Sequence, residues 1–158
     1  MAVDAADVVV HAGDWVTADL LDDLEAVASR VIGCYGNNDG PELRARLPEV
    51  ARAELDGVRL AVVHETGSAQ GREQRCARVY PDVDVLVFGH SHIPWDTFFT
   101  RPGPPPSGLP SPGAATGLRL LNPGSPTDRR RQPTFTWMTA EITDGKLGAV
   151  QLHHRKPA

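Results

Sequence analysis

With 158 residues, the chain suits one domain built on one hydrophobic core. Hydrophobic residues at 41% and charged residues at 23% exclude a disordered chain; the formal charge of −4 argues against non-specific nucleic-acid binding, and two cysteines supply no disulfide framework. No apolar run approaches the ~20 residues of a membrane span and Met1 to Asp7 is short and acidic, so cytoplasmic residence is the default expectation.

Asp7 to Gly13 reads as a strand ending at Asp14. Asp14 alone could be a simple turn residue. Trp15 and Val16 argue that the turn is partly buried. Ala18 to Arg30 predicts an amphipathic helix with Leu20, Leu21, Leu24, Val27 and Ala28 on one face and a solvated acidic face opposite. Val31 to Tyr35 is a second strand, with Cys34 a small core residue, and it leads into Gly36-Asn37-Asn38-Asp39-Gly40. Pro41 to Leu47 opens with proline and continues as a short helix.

Val50 to Leu55 and Val58 to Val63 flank Asp56-Gly57, a hairpin signature, and His64 follows the second strand. Ala69 to Tyr80 predicts a helix with a basic and polar surface, on which Arg72 and Arg75 are read as solvated in preference to facing an anionic substrate. Val83 to His92 (V-D-V-L-V-F-G-H-S-H) is a buried strand that delivers two imidazoles one residue apart. Ile93 to Thr100 is a further strand. Arg101 to Gly117, rich in Pro, Gly and Ser, reads as a loop inserted in a hairpin, since Leu118 to Leu121 resumes the strand pattern. Leu121 to Ser125 (L-N-P-G-S) and the basic run Asp128 to Arg131 come next. Thr134 to Glu141 and Leu147 to His153 close the chain as a hairpin, with His153 and His154 in a frayed tail and not counted as ligands.

Four buried strands each deliver Asp, Asn or His at the carboxyl end, where open α/β folds bind ligands. Neutral imidazole is a common metal ligand near neutral pH. In this order, G-D, G-N-N-D, V-V-H and G-H-S-H resemble the last four of the five motifs of the calcineurin-like metallophosphoesterase superfamily. The G-N-N-D form and L-N-P-G-S are similar to its small prokaryotic phosphodiesterase branch. The resemblance runs from about Asp7 to Leu152. It implies an α/β fold, two β-sheets packed as a sandwich and flanked by helices, in a single domain over 1–158.

The resemblance also implies chemistry: metal-dependent hydrolysis of a phosphodiester by a metal-bound hydroxide. Asp14 would bridge two cations; Asn37, His64 and His90 would hold one of them, and His92 the other. Asn38 stands where many relatives have a His that touches the substrate, and an amide is no such proton donor. Asp39 would orient neighbours by hydrogen bonding. Manganese is the first expectation, with zinc, nickel or iron as alternatives; the family holds two ions, and one or two are expected here. The implied substrate is a small-molecule or nucleotide phosphodiester, with no membrane and no extended nucleic-acid surface.

Two departures stand out. His64-Glu65-Thr66-Gly67 replaces the H-G-H run of many relatives, so the second imidazole is missing and Glu65 is the nearby group that could substitute in support. The family's first motif, Asp-x-His on a leading strand, is absent. A start placed too far downstream and a true loss of that strand are both open. A missing first strand would leave sheet edges unpaired, which invites homo-oligomers, and would leave one metal with only Asp14 and His92. The alternative function is therefore a catalytically weak metal-binding or interaction protein on the same scaffold.

Overall fold

The computed structural model describes residues 3–102 and 117–157. Most of the expected loop insertion, at 103–116, lies outside the described residues. Strand β1 (Val9–His11) pairs in parallel with β2 (Val31–Gly33), and helix α1 (Ala18–Val27) connects them. Helix α2 (Pro41–Arg46) starts on proline, whose missing N–H costs nothing at a first helical position. Leu21 of α1 and Leu43 of α2 are buried together with Trp15.

Strands β3 (Val50–Leu55) and β4 (Val58–Val63) form the expected hairpin. Its turn residues, Asp56 and Gly57, both adopt positive φ, the geometry that matches strand twist in two-residue turns. Helix α3 (Arg72–Val79) carries the chain to β5 (Val85–Phe88), which lies parallel to β4. Strand β6 (Trp95–Thr100) is antiparallel to β7 (Gly117–Asn122), and β7 is parallel to β5. The result is a five-stranded sheet in the order β3-β4-β5-β7-β6.

Alternation along β4 and β5 sends successive side chains to opposite faces. Ala61, Val63, Leu86 and Phe88 join Cys76 and Ala77 of α3 in one core. Leu60, Val62 and Val85 join Ile32, Cys34, Val8 and Val10 in the other. That second core also takes Met138 from β8 (Phe135–Thr139), which pairs antiparallel with β11 (Gln151–Arg155). Between those two strands, β9 (Ile142–Thr143) and β10 (Lys146–Leu147) form a small hairpin around Asp144 and Gly145.

The architecture is thus α/β with two strand layers and helices outside them, as the motifs implied. The second layer is split: β1–β2 and β8–β11 are separate two-stranded sheets, not hydrogen-bonded to each other. Three sequence expectations need correction. His153 and His154 lie in β11, paired with Trp137 and Thr136, and not in a frayed tail. Their alternating partners, Thr139 for His153 and Thr134 for His154, hold both rings in hydrogen bonds. Arg72 is 7% exposed and not solvated: its guanidinium sits 4.8 Å from the Phe88 ring and 4.6 Å from the Trp95 ring. Val16 is 69% exposed, because only Trp15 of that pair turns inward.

Candidate metal centre

The site lies at the carboxyl ends of β1, β2, β4 and β5, where each strand runs into a loop carrying one of the polar motifs. Two glycines let those loops meet. Gly13 has φ +88, and a Cβ there would come within 2.7 Å of the Gly36 nitrogen. A Cβ on Gly36 would collide with the Asp14 carboxylate. Asp14, Val16, His90 and His92 all hold positive φ, a conformation that costs a non-glycine residue energy and gathers at functional sites.

Four of the sequence-predicted ligands come together. His64 Nε2 lies 2.9 Å from Asn37 Oδ1, 3.2 Å from His90 Nδ1 and 3.4 Å from Asp14 Oδ1. His90 Nδ1 lies 3.0 Å from the same Asn37 oxygen. On the other side of its ring, His64 Nδ1 faces the Ala12 carbonyl oxygen at 2.6 Å. A carbonyl can only accept, so Nδ1 carries the proton, and in the neutral ring Nε2 is a bare lone pair. That lone pair points at another acceptor, Asn37 Oδ1. The Asn37 amide is oriented by Asn37 Nδ2, which donates to Asn38 Oδ1 at 3.2 Å.

Facing lone pairs need a proton or a cation between them. Donor spacings of this size match the edges of a coordination polyhedron with bonds of ~2.0–2.1 Å, which run to about 3.0–3.4 Å. The donors, two imidazoles, a carboxylate and an amide oxygen, are those that suit a borderline divalent cation. Counting His, Cys, Asp and Glu alone, no set of three among the described residues is arranged to hold a metal ion. The Asn37 oxygen adds a fourth donor, and His64 Nε2 lies within 3.4 Å of an atom of each of the other three residues.

His92 is not joined to these four. Its Nδ1 makes a short hydrogen bond with the Asp128 carbonyl oxygen, and the Asp128 carboxylate lies 3.7 Å away. Asn38 supports Asp14: its backbone N–H donates to Asp14 Oδ1 at 3.0 Å and its Nδ2 to Oδ2 at 2.8 Å. Asp39 is buried and accepts three backbone N–H groups, from Asp14, Val16 and Gly36. Through these three bonds Asp39 fixes both loops. Glu65 is exposed.

Two supporting residues, Arg44 and His11, escaped the sequence reading, and a third, Asn122, was read only as part of the L-N-P-G-S turn. Arg44 donates to the Asp39 and Gly36 carbonyls and covers the Tyr35 ring at 4.4 Å. Nothing in a one-turn spacing marks it. Asn122 is fully buried and donates to Gly89 O and Ser91 Oγ, fastening the end of β7 to the His90–His92 loop. His11 stacks on Trp15 at 3.8 Å, and its Nδ1 is buried without a partner. Burial drives its pKa from 6.5 down to about 4, against the pull of the Asp39 carboxylate. A period-two reading of β1 would have put His11 with Val9, on the face away from Val8 and Val10.

The family model described as the calcineurin-like phosphoesterase superfamily domain matches residues 1–145. The chain belongs to that superfamily. It is 28% identical over 146 residues to a protein of Methanothermobacter thermautotrophicus named probable metallophosphoesterase, covering 90% of this chain and 73% of that one. Among solved structures, it resembles zinc-complexed Vps29 of Entamoeba histolytica, with a TM-score of 0.67, 21% identity, and 95% and 82% of the two chains covered. It also resembles a structure described as a novel archaeal phosphodiesterase, with a TM-score of 0.65, 17% identity, and 96% and 84% covered. These two structures share the superfamily fold. Among the described residues, no helix is long and apolar enough to cross a membrane.

Proposed function

We propose that the chain is a metal-dependent phosphoesterase that hydrolyses small-molecule or nucleotide phosphodiesters in the cytoplasm. One observation carries this reading: His64 Nε2 is a lone pair aimed at the Asn37 oxygen at 2.9 Å, with His90 Nδ1 and Asp14 Oδ1 beside it. A proton on His90 Nδ1 would satisfy one pair of these atoms, whereas a cation satisfies all four donors at once. Asp14, Asn37, His64 and His90 would hold it, and manganese is the metal we expect for such a donor set. Once bound, a divalent cation supplies positive charge beside the phosphoryl oxygens and acidifies water for attack at phosphorus.

The chain's own groups do the positioning. The Ala12 carbonyl fixes the His64 tautomer and aims Nε2. Asn38 clamps both oxygens of Asp14 and so sets which way the carboxylate presents itself. As an amide, Asn38 orients groups and gives no proton to a leaving group. His92 and Asp14 are the groups left for a second cation.

The test is manganese loading, desalting and metal counting on this chain, with hydrolysis of bis(4-nitrophenyl) phosphate measured in parallel. Bound metal with metal-dependent hydrolysis supports the reading. Absence of bound metal overturns it. A second reading, a metal-binding protein without hydrolytic activity, is favoured by His92, which is drawn to Asp128 and away from the other ligands. One ion per chain and no hydrolysis would select it.

A further inference from the structure

The chain is acidic overall, yet Arg129, Arg130 and Arg131 sit consecutively on the turn that contacts His92. Their nearness is set by covalent structure. The Asp128 carbonyl that contacts His92 Nδ1 belongs to the peptide unit whose nitrogen is that of Arg129. The turn is also fastened from below. Ser125 Oγ accepts the N–H of Asp128 at 3.0 Å, and Asn122, three residues earlier, ties the same strand end to Gly89 and Ser91. Arg130 holds φ +48, with its N–H donating to Asp128 Oδ1 at 3.0 Å.

The three guanidinium groups are not equivalent. Arg129 donates to the Gln132 carbonyl at 2.7 Å and closes the turn. Arg130 is exposed, and its ionic contact, with Asp128, is a loose 4.0 Å. Arg131 is exposed and has no hydrogen bond or ion pair among the described residues. One unpaired guanidinium, that of Arg131, and one only loosely paired, that of Arg130, thus stand on a turn bonded directly to His92. Guanidinium is the side chain suited to bidentate phosphate recognition.

We propose that Arg130 and Arg131 recognise a second phosphate on the substrate, so that the site selects phosphodiesters with a terminal phosphate close to the scissile bond. This rests on the phosphodiesterase reading above. A long polyanion fits less well, since a chain with net charge −4 would repel it.

The experiment compares the manganese-loaded wild type and the double variant Arg130→Ser/Arg131→Ser on a dinucleotide with and without a 5′-phosphate. We expect the wild type to show a KM at least tenfold lower for the phosphorylated form. The double variant should lose that advantage, with kcat unchanged and the unphosphoried control, the plain dinucleotide, hydrolysed as before. Hydrolysis of both substrates with the same KM ratio in the two proteins overturns the proposal. A second measurement is independent of catalysis: calorimetric binding of inorganic pyrophosphate to chelator-treated protein. Binding weakened tenfold or more in the double variant supports the proposal even if neither dinucleotide is cleaved, a result that would count against the phosphodiesterase reading alone. Equal binding by both proteins, or none by either, overturns the proposal.

Discussion

The Asp39 carboxylate accepts the backbone N–H of Asp14 at 3.0 Å, across 25 residues of sequence. Through it, the loop after β2 dictates the backbone of the loop after β1. The same carboxylate holds Gly36 at 2.7 Å and Val16 at 2.9 Å, so one buried group fixes two loops at three points around the candidate ligands.

Asp39→Asn should therefore damage the site without touching a ligand. The amide keeps the shape but swaps an acceptor for a donor that would face backbone N–H groups. Unsatisfied buried groups of this kind cost about 1–3 kcal/mol. Loss of a group that orients ligands typically costs ~10–100-fold in metal affinity. Manganese titration and urea denaturation check both. Wild-type affinity in the variant would refute the assigned role.

His90→Ala should remove bound metal. His90 Nδ1 lies within 3.0 Å of Asn37 Oδ1 and 3.2 Å of His64 Nε2, so its loss takes one donor from a set of four. Elemental analysis after manganese loading and desalting should find the variant nearly empty. Metal content equal to wild type would mean that His90 is no ligand.

His11 predicts acid sensitivity. Its folded pKa, about 4, lies below the unfolded value of 6.5, so between these pH values the unfolded chain binds the proton and the folded chain does not. Its contribution to stability is complete above about pH 6.5 and is lost as pH falls toward 4. The full drop corresponds to roughly 3 kcal/mol. His11→Phe keeps a ring on Trp15 and removes the proton site. Urea midpoints measured from pH 4 to 7 should slope less steeply in the variant; an unchanged slope would remove His11 from the account.

Arg75 should govern the loop that follows His64. Its guanidinium donates to the carbonyls of Thr66, Ser68 and Gln70, and Arg72 adds a bond to Gly67. Arg75→Met keeps the aliphatic stem and frees those carbonyls. We expect a loss of about 1–2 kcal/mol by denaturation and faster proteolytic nicking within 65–71. Unchanged nicking would show that the loop stands without the arginine.

Much of this candidate site was legible in the sequence because its candidate ligands sit at strand ends, where a run of apolar residues stops abruptly at Asp, Asn or His. Gly-Asp, Gly-Asn-Asn-Asp and Gly-His-Ser-His survive as local words. The layering was legible for a similar reason: β5 is apolar at every position and β4 at all but Arg59, a pattern that a sheet covered on both faces requires. The supporting residues were not. Arg44, Arg72 and Arg75 look like ordinary surface arginines until the carbonyls and rings they cover are seen. His153 could not be told from a tail residue, because its pairing with Trp137 depends on where β8 lies. The position of His92 depended likewise on the turn at Asp128, some 36 residues away.

Asp14 and Asn37 follow the strands of the two-stranded sheet, β1 and β2, while His64 and His90 follow strands of the five-stranded sheet. A cation held by all four is a clasp between the layers. A lone two-stranded sheet is marginal in water and leans on whatever it packs against. Metal and folding are then thermodynamically linked: cation present at a hundred times its dissociation constant adds about 2.7 kcal/mol to the folded state. Slowed hydrogen exchange in β1 and β2 on loading would be the direct sign that the clasp has closed.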